Sequence, residues 1–542
     1  MYEEAAVFSN KCLKEIQSQG ASLEPEMLAW LLKRLKARWY PRNIEAAAQH
    51  LIGIVGQNPF FLYGAGTHSL ALLDVLKDHP ILKKLTGILD SRARPGQELK
   101  GYPVFPAAHA LQEREPVIVL SHHEFEDGMR DDLLASGVDV CRIFPIYQNT
   151  QYGHIVLKKL LPSLKEQAAL LGANQDPIVF VSARTRGIVD NTMAASIKSQ
   201  CIHLRMDRQD DGQEGEAFQA TFNAHNSLFL CLYLLHLLKP RLIYVQEHYS
   251  SGNFLPMTLA LAFPKCSVIG EFYDFLALTF DDPFILSTDS YWRQEDVQLA
   301  LAAERWCIRH LHGLVTKEDG PVLDQHLQGA RVLKLQPYPD KNLFTSTSPL
   351  KDPARLVWAG SIAPSHLSPR MFGDNQLLDV FQKLLQMDFH VTAYSSCRDQ
   401  AALENLYGDY LALQGPFSIH PALPREALVR KLAQEQDFGL MLGIPKADTQ
   451  QGISHKVTVS GKLYTYLAAG LPIITGAYLE VMAGWIKQYD LGIVLDTQAI
   501  EQLPEFITTA NYNRWARNVR LFRESHHLGV VISQLNTFLG GS

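Results

Sequence analysis

Cysteine is scarce. The chain has seven in 542 residues, and no two form a Cys-x-x-Cys pair. An odd, dispersed set argues against a disulfide framework and against a cysteine-built zinc site. Cys12, Cys141, Cys201, Cys231, Cys266, Cys307 and Cys397 are scattered, the pattern of reduced cytoplasmic thiols. An excess of charge is lacking as well. Fifty Lys and Arg against 56 Asp and Glu leave −6, which gives no electrostatic footprint for nucleic acid. The strongest apolar run, 227–238, is about 12 residues long where a bilayer span needs about 20. It reads as a buried helix. Glu3 and Glu4 stand where a secretory signal would carry positive charge. No internal repeat is evident. A cytoplasmic protein is expected.

What is present is globular. Hydrophobic residues make up 47% and charged residues 20%, and the length fits about three or four domains. One stretch organises the rest: Ser460-Gly461-Lys462-Leu463-Tyr464-Thr465-Tyr466-Leu467-Ala468-Ala469-Gly470-Leu471-Pro472-Ile473-Ile474-Thr475. Ser460 is placed to cap a helix. Leu463, Tyr466 and Leu467 share one apolar face. Gly470 suits a left-handed stop, and Pro472 bars continuation before a buried strand at Ile473. Lys462 and the free N–H groups of the first turn make that helix start an anion seat.

In order, residues 1–50 read as helices. Leu28, Leu31, Leu32 and Leu35 form a stripe, flanked by Lys33, Arg34, Lys36 and Arg38. That basic face is solvated, or touches a membrane surface or a partner. Strand, glycine turn and helix follow at 59–73, then a strand from Leu85 to Leu89 that ends at Asp90. Gly64 and Gly66 let the backbone approach a phosphate, and Asp90 stands where a ribose would be bound. Ser69 replaces the third fingerprint glycine. With strands at 103–105 and 116–120, this block closes near Pro145 and resembles the short Rossmann-like modules of sugar-modifying bacterial proteins.

A helical connector covers 146–175, and Ile178 opens a new α/β series. Its strands at 240–245 and 266–269 deliver Glu247 with His248, then Glu271 with Asp274, to loops. Residues just past strand carboxyl ends line the ligand crevice of open α/β sheets. A long helix from Trp292 to His312 is expected to bury Leu299, Ala302, Ala303 and Trp306. Thr345 to Pro353 reads as a linker. A further series starts at Leu356-Val357-Trp358-Ala359-Gly360-Ser361 and ends in helices from Asn511 to Leu539.

From about 177 onward the chain resembles GT-B glycosyltransferases. The match is carried by 462–474, similar to the donor-site helix of family-4-like enzymes, with support from 356–361 and 304–316. The resemblance implies two Rossmann-like α/β domains facing across a cleft, preceded by the small module. The expected divisions are a helical segment 1–50, the module 51–150, a connector 151–176, an acceptor-side domain 177–345 and a nucleotide-sugar domain 346–542. It implies hexosyl transfer from a nucleotide-sugar donor to a glycan, lipid-linked or protein acceptor, with no metal and no cofactor. Gly360 and Ser361 would offer amides to the donor diphosphate and Lys462 an ammonium, with Lys456 and Lys446 as further cations. Where the family often has a donor-binding Glu, this chain has Thr465, a hydroxyl without charge. On the acceptor side His248, or else Glu247, would take the acceptor proton. Location at the inner membrane face through the N-terminal helices is allowed. A non-catalytic scaffold of the same fold and a sugar-nucleotide epimerase are the alternatives.

Overall fold

Short apolar runs bounded by glycine, proline or aspartate become the inner strands of three parallel sheets. The computed structural model describes residues 2–113, 115–122, 126–171, 176–182, 193, 196–197, 201–206, 218–247, 254–272, 274–279, 294–367, 375–397, 399–443 and 451–540. The residues pack as two units. One comprises Met1–Thr185, Ser199–Gln246 and Phe254–Val268; the other comprises Arg186–Lys198, Glu247–Asn253 and Ile269–Ser542.

The first sheet holds β1 (Phe60–Tyr63), β2 (Leu85–Leu89), β3 (Glu98–Leu99), β4 (Tyr102–Phe105), β5 (Val117–Leu120) and β6 (Ile143–Pro145). Its order is β3-β4-β2-β1-β5-β6, parallel apart from the β3–β4 hairpin. The second holds β7 (Ile178–Ser182), β8 (Cys201–Arg205), β9 (Ala220–Asn223), β10 (Leu242–Glu247), β11 (Ser267–Phe272), β12 (Gly313–Thr316) and β13 (Val332–Lys334). They lie in the order β13-β12-β11-β10-β7-β8-β9. The third holds β14 (Arg355–Ala359), β15 (His390–Tyr394), β16 (Phe417–His420), β17 (Phe438–Met441), β18 (Ile473–Gly476) and β19 (Gly492–Leu495). Its order is β16-β15-β14-β17-β18-β19. Each sheet starts in the middle, winds to one edge, then returns to wind to the other. This is the doubly wound Rossmann pattern, with a switch point beside the first strand.

The apolar helix Leu228–Leu238 is covered by protein rather than lipid. Ser227 caps it, accepting from Leu230 N at 3.1 Å and donating to Trp39 O at 2.7 Å. Phe8 of the helix Tyr2–Gln19 stacks edge-on to Phe229 and Tyr233. In the helix Pro25–Ala37 the buried residues are Met27, Trp30, Leu31 and Leu35; Leu28 and Leu32 of the expected stripe are half-buried. Arg34 lies over the Trp30 ring at 5.1 Å. Among the described residues no helix is long and apolar enough to cross a membrane.

The long helix, Gln294–His310, is turned from its expected face. Val297, Ala300, Ala303, Glu304, Cys307 and Ile308 are buried, whereas Leu299, Ala302 and Trp306 are half-buried. The cause is Glu304, fully buried, whose carboxylate accepts from Leu276 N at 2.6 Å and Ala277 N at 3.0 Å. It caps the short helix Leu276–Thr279.

Candidate functional site

The third sheet opens at its switch point. The ladder between β14 and β17 comprises Leu356↔Phe438 and Val357↔Gly439. Beyond it the strands are joined through the Tyr466 hydroxyl, which accepts from Ala359 N at 2.9 Å and donates to Leu440 O at 3.0 Å. The phenol is fully buried, and burial raises its pKa, so it stays protonated and able to donate. Gly439 makes room for the ring: a Cβ there would sit 2.3 Å from Tyr466 Cγ.

Tyr466 belongs to the helix Gly461–Ala469, whose ends are fixed as its sequence requires. Ser460 caps the start, accepting from Lys462 N at 3.4 Å. Gly470 takes the left-handed conformation at φ 79°. Arg523 then donates to Ala468 O at 3.0 Å, placing a cation on the negative end of the helix. The positive end is left at the sheet opening.

Lys462 and Gly360, about a hundred residues apart in sequence, meet there. A Cβ on Gly360 would lie 2.5 Å from Lys462 Cε and 3.3 Å from Nζ. The ammonium stands 4.3 Å from the centre of the Trp358 ring, a cation–π distance. The indole N–H of Trp358 donates to Ser361 O at 3.2 Å and holds the turn shut. One expectation is corrected. The Gly360 amide is not offered to a ligand, because it donates to Tyr394 O at 2.9 Å and extends the β14–β15 ladder. The neighbouring Ser361 is exposed. Glycine at 360 serves the close approach of the lysine instead.

The remaining sequence-named cations and polar groups are placed as follows. Lys456 forms an exposed pair with Glu480 at 3.5 Å, the kind of contact worth little. Lys446 lies outside the described residues. Thr465 is half-buried, and its hydroxyl reaches back to Gly461 O at 3.5 Å.

At the strand ends of the second sheet, Glu247 closes β10 and its side chain, like all of His248, lies outside the described residues. Glu271 is buried within β11. Asp274, just past that strand, pairs with Lys317 at 3.4 Å. Lys317 and Glu318 follow β12 directly and are both buried. Burial pushes the Glu318 carboxyl up to about 8, against the opposing pull of the Lys317 ammonium. Its Oε2 has no hydrogen-bond partner among the described residues. Sequence reasoning passed over this pair, although the strand-end rule that selected Glu247 applies equally after Thr316.

Gln336 ties this cluster to the Lys462 helix. Its Nε2 donates to Lys317 O at 2.8 Å, and its Oε1 accepts from the Tyr464 hydroxyl. With both amide ends engaged, its orientation is fixed by its partners. Asp319 N donates to Val457 O at 3.0 Å, a second link. Among the described residues no group of three or more His, Cys, Asp or Glu could hold a metal ion.

In the first sheet Asp90 works as a staple. Its Oδ2 accepts from Ala65 N at 2.8 Å and its Oδ1 from Arg92 N at 2.8 Å. Gly64 has a φ of 115°, in the glycine-favouring region, while Gly66 opens the helix Thr67–Leu76. Ser69, at the third fingerprint position, bonds Gly64 O and, at 2.6 Å, Ser121 Oγ. The hydroxyl locks the turn.

Residues 393–537 match the family described as glucosyltransferase 3-like, C-terminal domain. The match spans the loop–helix–strand run around Lys462 and includes β16 to β19. No curated protein matches the chain by sequence. Three solved structures resemble it weakly. The trehalose 6-phosphate synthase of Burkholderia multivorans aligns at 11% identity and TM-score 0.44, over 68% of this chain and 97% of that one. The N-terminal domain of Candida albicans trehalose-6-phosphate phosphatase aligns at 10% and 0.43, over 68% and 98%. The wall teichoic acid polymerase TagF aligns at 11% and 0.36, over 71% and 95%. Along the chain, the two doubly wound sheets β7–β13 and β14–β19 follow a smaller sheet with the same winding.

Proposed function

We propose that the chain transfers a hexose from a nucleotide-sugar donor to a glycan, lipid-linked or protein acceptor, without a metal. The observation that carries this reading is the meeting of the Lys462 ammonium, Gly360 and Trp358 at the switch point of the last sheet. As a glycosidic bond to a nucleoside diphosphate breaks, negative charge grows on the leaving diphosphate. An ammonium fixed in advance at a helix start stabilises that charge at little reorganisation cost. Lys462 then contacts the diphosphate, Ser361 supplies an amide, and Thr465 takes a donor hydroxyl. His248, with Glu247 as its alternate, takes the proton of the acceptor hydroxyl. The proposal keeps the divisions at 50, 150, 176 and 345, and leaves the N-terminal helices as a contact surface in the cytoplasm.

The test is thermal stability with millimolar UDP- or GDP-sugar. Binding to the native state raises the melting temperature by mass action, and Lys462→Ala abolishes the shift. A full shift in the variant removes Lys462 from the donor site. Thr465 favours a second reading, a non-catalytic donor-binding protein, because it brings no carboxylate to the expected ribose position. Slow donor hydrolysis by the wild-type chain supports the enzyme; binding without any turnover supports the second reading.

A further inference from the structure

A cavity of about 510 Å³ lies over the carboxyl ends of β1 and β2 in the first module. Its lining includes Ala65, Asp90, Arg92, Arg94 and Gln97. The loop that forms its wall is held in shape by its own contacts. Arg92 N donates to Asp90 Oδ1, Arg94 N to Gln97 Oε1 at 2.9 Å, and Gln97 N to Arg94 O at 3.1 Å. Gly96, at φ 72°, permits the turn between them. Ala65 N, bonded to Asp90 Oδ2, ties the wall to the glycine turn on the other side. Val104 N donates to Gln97 O at 2.9 Å and fixes the far end to β4.

This preformed wall presents two positive charges that Asp90 offsets only in part. Among the described residues neither the Arg92 nor the Arg94 guanidinium has a hydrogen-bond or ion-pair partner, while Arg142 of the same module donates to three backbone carbonyls. Asp90, both oxygens already accepting from backbone amides, is a structural staple and only a partial counter-charge. Two guanidinium groups on one small cavity match the geometry of phosphate oxygens. The volume suits a molecule of nucleotide size, and the remaining lone pairs of Asp90 can accept from hydroxyl groups.

We propose that this cavity is a second ligand site, separate from the one at Lys462, that holds a phosphorylated, hydroxyl-bearing ligand of nucleotide size through Arg92 and Arg94. The proposal does not depend on the transferase reading.

Isothermal titration of the full chain with UDP, uridine and inorganic phosphate tests it. UDP is expected to fill two sites in the wild type. The exposed pair R92A/R94A weakens one of them by about 10–100-fold, the range for charge-assisted contacts, and leaves the other unchanged. Lys462→Ala does the reverse. Circular dichroism confirms that both variants are folded. A single UDP site lost only in Lys462→Ala overturns the proposal. So does a second site that the arginine pair does not affect, or one that takes inorganic phosphate as well as it takes UDP. If R92A/R94A loses a site while Lys462→Ala changes nothing, the cavity stands and the donor-site assignment fails.

Discussion

Replacing Lys462 by Met removes its charge and keeps most of its stem. The stem packs against Gly360, whose added Cβ would lie 2.5 Å from Lys462 Cε, and the ammonium sits 4.3 Å from the Trp358 ring. Met fills the same space, so no cavity opens and the helix Gly461–Ala469 keeps its caps at Ser460 and Gly470. What is lost is a charge-assisted contact to a diphosphate, worth about 1.5–3 kcal/mol. In the free protein the cation–π contact with Trp358 holds the ammonium in place at about 0.5–2 kcal/mol, so little entropy is lost when a ligand arrives. The expected result is a UDP dissociation constant raised about 10–150-fold at the Lys462 site. Uridine, which has no diphosphate, should bind both proteins alike. The loss should shrink as salt is raised, because a half-exposed charge is partly screened. Titration calorimetry at low and moderate salt reads both ligands. Equal losses for UDP and uridine would mean that Lys462 supports the pocket's shape only. No loss for either would place the diphosphate elsewhere.

Gly360→Ala adds a Cβ 2.5 Å from Lys462 Cε that displaces the lysine end, so UDP affinity falls in the same direction, and at φ 158° the new side chain lowers stability as well. Gly439→Ala meets the Tyr466 ring at 2.3 Å and should lower the urea midpoint, a stability loss of about 1–3 kcal/mol for an overpacked core. Tyr466→Phe strips the hydroxyl from Ala359 N and Leu440 O and should cost about 1–3 kcal/mol for the buried groups left unsatisfied. The same variant should weaken UDP binding, as the helix loses its register on the sheet. Glu318 gives a pH prediction. Its folded pKa of about 8 lies above the unfolded carboxyl value of 4.5. Between those values the folded chain holds a proton that the unfolded chain has lost, so stability from this group falls as pH rises from about 5 to 8. Glu318→Gln removes that slope, and its denaturation midpoint should exceed the wild type's at pH 8. A wild-type slope that persists unchanged in the variant would contradict the assignment.

How far the sequence could be read depended on which signals are local. The helix at Lys462 was legible because a cap, an apolar face, a glycine stop and a proline all fall within a few residues. Inner strands such as β7, β12 and β18 are short apolar runs buried on both faces and were legible for that reason. β9 and β16 were not. They are the edge strands of their sheets and bury one residue each, Phe222 and Ile419, so neither makes an apolar run. Of the four residues expected to face inward on the Gln294–His310 helix only Ala303 is buried, because Glu304 reads as a solvent residue while the structure buries it to cap Leu276–Thr279. At the site, residue types and strand-end positions pointed to Lys462 and Gly360 separately. Their contact could not be read, because a register between β14 and the Gly461–Ala469 helix is set by Tyr466 and Gly439, and a tyrosine on an apolar helical face carries no mark of its bridging hydroxyl. Gln336 escaped for the same reason: its role exists only through Tyr464 and Lys317.

The most direct measurement is a crystal structure of the full chain soaked with UDP. A diphosphate oxygen within about 3 Å of Lys462 Nζ, with the uracil and ribose lying along the opening between β14 and β17, is the expected result. Density for the nucleotide that leaves the Lys462 ammonium without a phosphate contact would contradict the account.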